Sequence, residues 1–196
     1  MKETKHQHFI IYKPYGYLSQ FISNDVKSHK KRYLGELHDF PKGLMAVGRL
    51  DEKSEGLLVL TTNGKLSNTV NSAKFEKEYY ALVDGHITQE ALNKIETGVE
   101  IGFEGKKYQT KPCKVKKIET TPQLPIRSKK VRDNRHGPTT WISVILTEGK
   151  FRQVRKMTAA VGFPTLRLVR VRVNTITLET MKVGEIQKID ESKLLF

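Results

Sequence analysis

The 196-residue chain carries 35 Lys and Arg against 21 Asp and Glu, a formal charge of +14 and a pI of about 9.8, so a polyanion, nucleic acid first, is the expected partner. With 37% hydrophobic and 29% charged residues the composition is that of a soluble globular protein rather than a disordered one, and its longest apolar runs, GLLVL and WISVIL, are too short to cross a bilayer. The single Cys113 excludes an intrachain disulfide and a cysteine-based metal site, and makes a reducing, cytoplasmic compartment the expectation.

The N-terminal MKETKHQHFIIYKPYG offers only the four residues FIIY before Lys13 and Pro14, which is no signal-peptide core. FIIY, residues 9–12, reads as a short buried strand stopped by a turn at Pro14 and Gly16. Residues 31–39 read as weakly helical. LMAV, 44–47, predicts a second strand leading into GRLD, and GLLVLTT a third that ends at an Asn63-Gly64 turn. A short helix is expected near 65–71, after which KEYYALVDG returns to a β pattern. Thr88 predicts an N-cap for QEALNKIETG, with Ala91, Leu92 and Ile95 on one face and Gly98 as the stop. Short strands follow in VEI and KPCKVKKI, then in WISVILTEG beyond a polar, basic loop at 120–140. In FRQVRKMTAAVG, Val154, Met157, Thr158 and Val161 fall at i, i+3, i+4, i+7 and predict a packed face, with Arg152, Arg155 and Lys156 on the opposite, cationic one. Gly162 and Pro164 close that helix, and TLRLVRVRV and TITL return to β structure. Strands outnumber helices and do not alternate with them, which predicts an α+β fold built on a mostly antiparallel sheet. No internal repeat, GxGxxG or P-loop pattern is present.

The positive charge gathers in SKKVRDNRH at 128–136 and GKFRQVRK at 149–156. Arg49 and Asp51 lie two apart in GRLD, so a strand continuing through them would place acid and base on one surface, with Leu50 on the other. From residue types alone, Asp51 is equally a member of a local ion pair or a turn former. A metal site of Asp51, Glu52 and Glu55 is the sharper alternative, but DEKSE matches no calcium loop and no second carboxylate cluster accompanies it. Tyr79 reads as a core aromatic or, if exposed beside cations, as a ring on which a base stacks; the tandem Tyr79-Tyr80 puts one ring on each face. The six histidines show no metal-binding spacing and read as surface residues.

GRLDEKSEGLLVLTTNG, KEYYALVDG and EGKFRQVRKMTAAVGFPTLRLVR closely resemble, in order and spacing, three segments of the ribosomal RNA pseudouridine synthase family that includes the small-subunit enzyme acting on 16S rRNA. The resemblance runs from about Phe9 to near the C-terminus. KPYGYLSQF, PIRSKK, TTW and VGFPTLRLVR are similar to the branch that acts on the large subunit, although KVRDNRHGP is longer here. The resemblance implies one catalytic domain over residues 1–196 with two sub-lobes, the pseudouridine synthase fold, and no S4-like RNA-binding domain ahead of the first strand. It implies a cofactor-free and metal-free monomer that detaches a uracil of 23S rRNA at N1, turns it and reattaches it through C5. A noncatalytic rRNA-binding or assembly protein, or a synthase acting on 16S rRNA or tRNA, is the alternative.

Asp51 matches the family's essential acid, and Arg155 the basic residue set against it, with Lys156 or Arg152 as substitutes. Tyr79 matches the tyrosine that stacks on the uracil, and Lys77 serves the local structure or a phosphate. Arg49 resembles the residue that fills the space left by an extruded uridine. Lys150, Arg152 and Lys156, with Arg127, Lys129, Lys130, Arg132 and Arg135 of the loop, are expected to hold phosphates.

Overall fold

The structure, a computed structural model, describes residues 6–22, 31–71 and 75–195. It divides into two compact units, one of residues 1–75 and 170–196, the other of residues 76–169. The fold is α+β: strands dominate and, apart from one two-residue pair, run antiparallel in the pairings described below, as the sequence predicts.

In the first unit β1 (His8–Lys13) pairs antiparallel with β5 (Glu55–Thr61), His8 opposite Thr61 and Lys13 opposite Gly56. β5 is buried at all seven positions, which is why GLLVL reads as a continuous apolar run rather than an alternating one. The short β2 (Tyr17–Leu18) and β3 (Arg32–Tyr33) form a separate parallel pair. β4 (Met45–Val47) pairs with the end of β5. Ile11, Leu34, Leu44, Leu58 and Leu60 make a core, edged by Phe9, Phe21, Leu37 and Phe40. Residues 31–39 are not a helix: β3 and a single 3-10 turn, Leu34–Glu36, are enough to bring Leu34 and Leu37 to that core. Gly35 is required in that turn, since a Cβ there would lie 2.3 Å from the Phe21 carbonyl oxygen.

Asn63-Gly64 does not make a hairpin. It opens α1 (Gly64–Asn71), with Asn63 Oδ1 accepting the N–H groups of Lys65 and Leu66 at 3.1 and 3.2 Å, an N-cap in place of a turn.

In the second unit β6 (Lys77–Asp84) pairs along its whole length with β10 (Thr139–Leu146), which also pairs with β9 (Lys114–Lys117). Burial alternates strictly along β6, with Lys77, Tyr79, Ala81 and Val83 inward. α2 (Gln89–Thr97) begins with the Thr88 hydroxyl accepting the Ala91 N–H at 3.2 Å, ends at Gly98, and buries Ala91, Leu92 and Ile95, all as the sequence predicts. β7 (Glu100–Phe103) and β8 (Lys106–Gln109) form a hairpin that the sequence reading did not anticipate. Its two-residue turn, Glu104-Gly105, has φ of 50° and 74°, the left-handed pair that closes tight hairpins. α3 (Gln153–Ala160) buries Val154, Met157 and Thr158.

β11 (Thr165–Val173) gives its first residues to the second unit and its last to the first. β12 (Ile176–Thr177) pairs with it; β13 (Ile186–Ile189), against β1, and α4 (Ser192–Leu195) complete the first unit and were not anticipated. His8 departs from the surface reading of the histidines: it is 4% exposed, with Nδ1 2.9 Å from Thr61 Oγ1 and Nε2 3.3 Å from Glu191. His29 lies outside the described residues. Among the described residues no helix is long and apolar enough to cross a membrane.

Candidate active site

The strand does not continue through GRLD. β4 ends at Val47, and Gly48, at φ +69°, turns the chain into a loop that carries Arg49, Leu50 and Asp51 to the start of β5. Leu50 is 5% exposed, Asp51 half-buried and Arg49 exposed, and Arg49 makes no ion pair with a described residue. Of the two readings that residue types leave open for Asp51, the pair with Arg49 is not formed and the turn is. Asp51 Oδ1 accepts the Lys53 N–H at 2.9 Å and the Asp51 carbonyl accepts the Ser54 N–H at 3.0 Å, which fixes the acid's backbone as the first residue of an Asx turn.

A second loop, 13–19, holds this turn in place. Ser19 Oγ donates to the Leu50 carbonyl at 2.8 Å and accepts the Leu50 N–H at 3.0 Å, so one buried hydroxyl satisfies both backbone groups of the residue before the acid. The Gly16 N–H donates to the Glu52 carbonyl at 2.8 Å on the other side. Gly16 has φ +86°, and a Cβ there would also meet the Arg32 guanidinium, 2.9 Å away, which itself lies over the Tyr17 ring.

Lys13, at the end of β1, is fully buried and donates to the Pro14 and Tyr17 carbonyls at 3.0 and 2.5 Å, tying the 13–19 loop together from within. Burial pushes its ammonium down to about 7, against the pull of Asp51, Glu55 and Glu52 and with the help of Arg170. Glu55 is 1% exposed and Arg170 3%, its Nε donating to the Leu57 carbonyl at 2.8 Å. Asp51 thus stands in the first unit among two buried basic groups and a buried acid. Of these, Glu55 was singled out from sequence only as a possible metal ligand, and Lys13, Ser19 and Arg170 not at all; the one available signal is a lysine continuing a buried strand in FIIYK. Asp51, Glu52 and Glu55 do not make a metal-holding group, and among the described residues no three His, Cys, Asp or Glu side chains do.

The other candidates lie in the second unit. Tyr79, 9% exposed, and Lys77, also 9%, share the inward face of β6, and Tyr80 takes the outward one. Arg155 is half-buried on α3, its Nη1 donating to the Thr165 carbonyl at 3.2 Å, while Lys156 Nζ donates to the Gly102 carbonyl at 2.6 Å. The predicted cationic face of α3 is thus drawn partly into the fold.

Much of the arginine charge in the 120–140 loop is likewise committed to the loop itself. Arg127 donates to the Lys129, Lys130 and Leu166 carbonyls, Arg132 to Asp84 and the Pro138 carbonyl, and Arg135 pairs with Asp133 at 2.7 Å. Lys129 and Lys130 remain exposed.

The turn before α3 contains two residues that the sequence reading passed over. Glu148 and Gln153 are 8% and 4% exposed; the Gln153 amide accepts the Lys150 N–H at 2.9 Å and donates to Glu148, whose carboxylate also accepts from Tyr108 Oη and the Lys111 N–H.

A family model described as RNA pseudouridylate synthase matches residues 7–160. The ribosomal large subunit pseudouridine synthase E of Vibrio parahaemolyticus is 41% identical over 182 residues, covering 92% of this chain and 72% of the relative. Its Xanthomonas campestris counterpart is 38% identical over 186 residues, 94% and 95% of the two chains. Ribosomal large subunit pseudouridine synthase B of Bacillus subtilis is 32% identical over 93% of this chain and 67% of its own. A crystal structure of a pseudouridylate synthase superposes with a TM-score of 0.74 over 97% of this chain and 73% of that one, at 24% identity, and so speaks for the fold. With the matched family model spanning the clamped acid loop, β6 and α3 together, the chain belongs to the RNA pseudouridylate synthases, enzymes that isomerise uridine to pseudouridine.

Proposed function

We propose that this enzyme isomerises one uridine of the large-subunit 23S rRNA, with Asp51 as the residue that attacks the sugar or base, and that it does so in the cytoplasm as a monomer. The observation that carries the substrate is the 38–41% identity, over 88–94% of the chain, to relatives named as large-subunit synthase E. The charge of +14 agrees with an RNA substrate.

For Asp51 the support is its match to the family's acid and the way its loop is built. An acid that does chemistry must be held in position, and the Ser19 and Gly16 contacts hold both flanks of Asp51. Tyr79 and Arg155 are the residues that the resemblance assigns to stacking on the uracil and to keeping the acid ionised. Arg49, exposed on the same loop as the acid, suits the role of filling the space from which the uridine is extruded.

The test is pseudouridine mapping in total rRNA from cells with and without the gene, paired with the purified protein acting on a 23S transcript. One 23S position should lose its pseudouridine without the gene. Loss of a site in 16S rRNA or tRNA with 23S rRNA unchanged would refute the substrate, and RNA binding without product in any transcript would point to a noncatalytic binding protein.

A further inference from the structure

Five large hydrophobic side chains are conspicuously exposed among the described residues, and only one of them is aromatic: Phe151, 66% exposed, in the turn that leads into α3. The fold holds that turn rigidly. Its interior is fixed by the buried Glu148–Gln153 pair, with the Gln153 side chain also binding the Lys150 N–H. Arg152 then takes a left-handed conformation, φ 53° and ψ 34°, which a side-chain-bearing residue adopts only when its surroundings impose it. A ring displayed on a strained, internally braced turn is pre-organised for contact.

One cation lies over it, and that cation leads on to a second cation and two further rings. Lys156 Nζ lies 5.4 Å from the Phe151 ring centre and 6.0 Å from that of Phe103, anchored by its bond to the Gly102 carbonyl. Lys150 Nζ lies 5.0 Å from the Phe103 ring and 4.8 Å from the Tyr108 ring, and those two rings meet edge to face at 6.0 Å. The nearest buried acid, Glu148, has both oxygens occupied by Tyr108, Lys111 and Gln153. An exposed ring beside ammonium groups that a ring face already attracts is the composition of a single-strand platform, in which the ring takes a base and the cations its phosphates.

We infer that Phe151, with Lys150 and Lys156, forms a stacking platform for an unpaired nucleotide of the RNA. The inference rests on the enzyme's acting on RNA but not on which uridine it modifies. It adds to the phosphate contacts expected of these lysines a base contact that carries no charge and therefore has its own signature.

The probe is a fluorescent uridylate dodecamer, with a blunt RNA duplex of the same length beside it. Phe151→Ala should raise the single-strand Kd by roughly 5- to 150-fold and leave the log–log salt slope unchanged, because no charge is removed. Phe151→Trp should bind as wild type and Phe151→Leu as weakly as Phe151→Ala. Replacing Lys150 and Lys156 together should reduce the slope by about 1.4. A Phe151→Ala loss under twofold, wild-type binding by Phe151→Leu, or an equal loss on the duplex would each overturn the platform. Pseudouridine formation is scored separately in wild-type protein: product with no platform effect refutes the platform alone, and platform binding without product refutes the enzymatic reading alone.

Discussion

Replacing Ser19 by Ala should both loosen the enzyme and slow it. In the native loop one hydroxyl serves the N–H and the C=O of Leu50, a residue 5% exposed, so the substitution strips two buried backbone groups of their partner at once. Each orphaned group costs roughly 1 to 3 kcal/mol, and with partial relief from water entering where the hydroxyl was, about 2 to 4 kcal/mol of stability is lost. At this chain length that corresponds to a fall in Tm of roughly 5 to 15 °C. The effect on rate follows from position, because Leu50 immediately precedes the proposed acid, and a displacement of about 1 Å in a catalytic group can cost on the order of a hundredfold. Thermal unfolding by circular dichroism and single-turnover pseudouridine formation on a 23S transcript, measured well below the melting transition, give the two readouts. Ser19→Thr keeps the hydroxyl and should recover most of the rate. A Tm within a degree or two of wild type together with a full rate in Ser19→Ala would refute the clamp.

Asp51→Asn keeps the shape and the Lys53 contact of the acid but not its charge; it should abolish product while RNA affinity stays within a few fold, and a near-wild-type rate would remove Asp51 from the chemistry. Lys129→Ala with Lys130→Ala should lower the salt slope of RNA binding by about 1.5 if the loop touches phosphates. Arg132→Ala should instead open the 120–140 loop to proteolysis, because that guanidinium is tied to Asp84 and Pro138; equal protease resistance would argue against the tie. Lys13 has a folded-state pKa of about 7 against an ordinary 10.5. Between those values the unfolded chain binds the extra proton, so stability rises with pH through that window and the burial penalty is full below it. Relative to Lys13→Met, wild type should therefore gain up to about 1.4 kcal/mol per pH unit above pH 7, read from urea unfolding at several pH values; parallel curves would show that Lys13 is not held neutral by the fold.

Elements whose signal is local were legible in the sequence. Thr88 and Gly98 bracket α2 because cap and stop are properties of a few adjacent residues, and β5 announced itself as an unbroken apolar run because both of its faces are covered. Where the reading failed, a pattern of burial stood in for a backbone conformation. Leu50 is buried and Arg49 exposed, as the two faces of a continuing strand would be, yet the backbone there is a loop turned at Gly48. Leu34 and Leu37 likewise mark a packed face with helical spacing, delivered by one 3-10 turn. The β7–β8 hairpin escaped because β8 carries only one half-buried side chain, Tyr108, among three exposed ones. The acid itself was legible only through the resemblance of GRLD to a family motif, since from residue types it was equally a turn former, which it also is. The groups that brace it were not legible at all: Ser19 meets Leu50 across 31 positions, and nothing near either residue encodes that meeting.

Fully buried charges are costly to a fold and are often replaceable by apolar residues with a gain in stability. The first unit nevertheless keeps Lys13 and Glu55 buried at the end of the β1–β5 pair, near one half-buried aspartate, and Arg170 buried against β5. Core packing alone gives no reason for that choice, since β1 and β5 already supply an apolar core without them. Holding the acid's loop in one place does give a reason, because Lys13 ties together the 13–19 loop whose Ser19 clamps the residue before Asp51, and Arg170 ties β5 at the Leu57 carbonyl. On this argument the buried Lys13 is a stability cost retained for positioning the acid, and Lys13→Met should make the protein harder to unfold at pH 6 while making it a poorer catalyst.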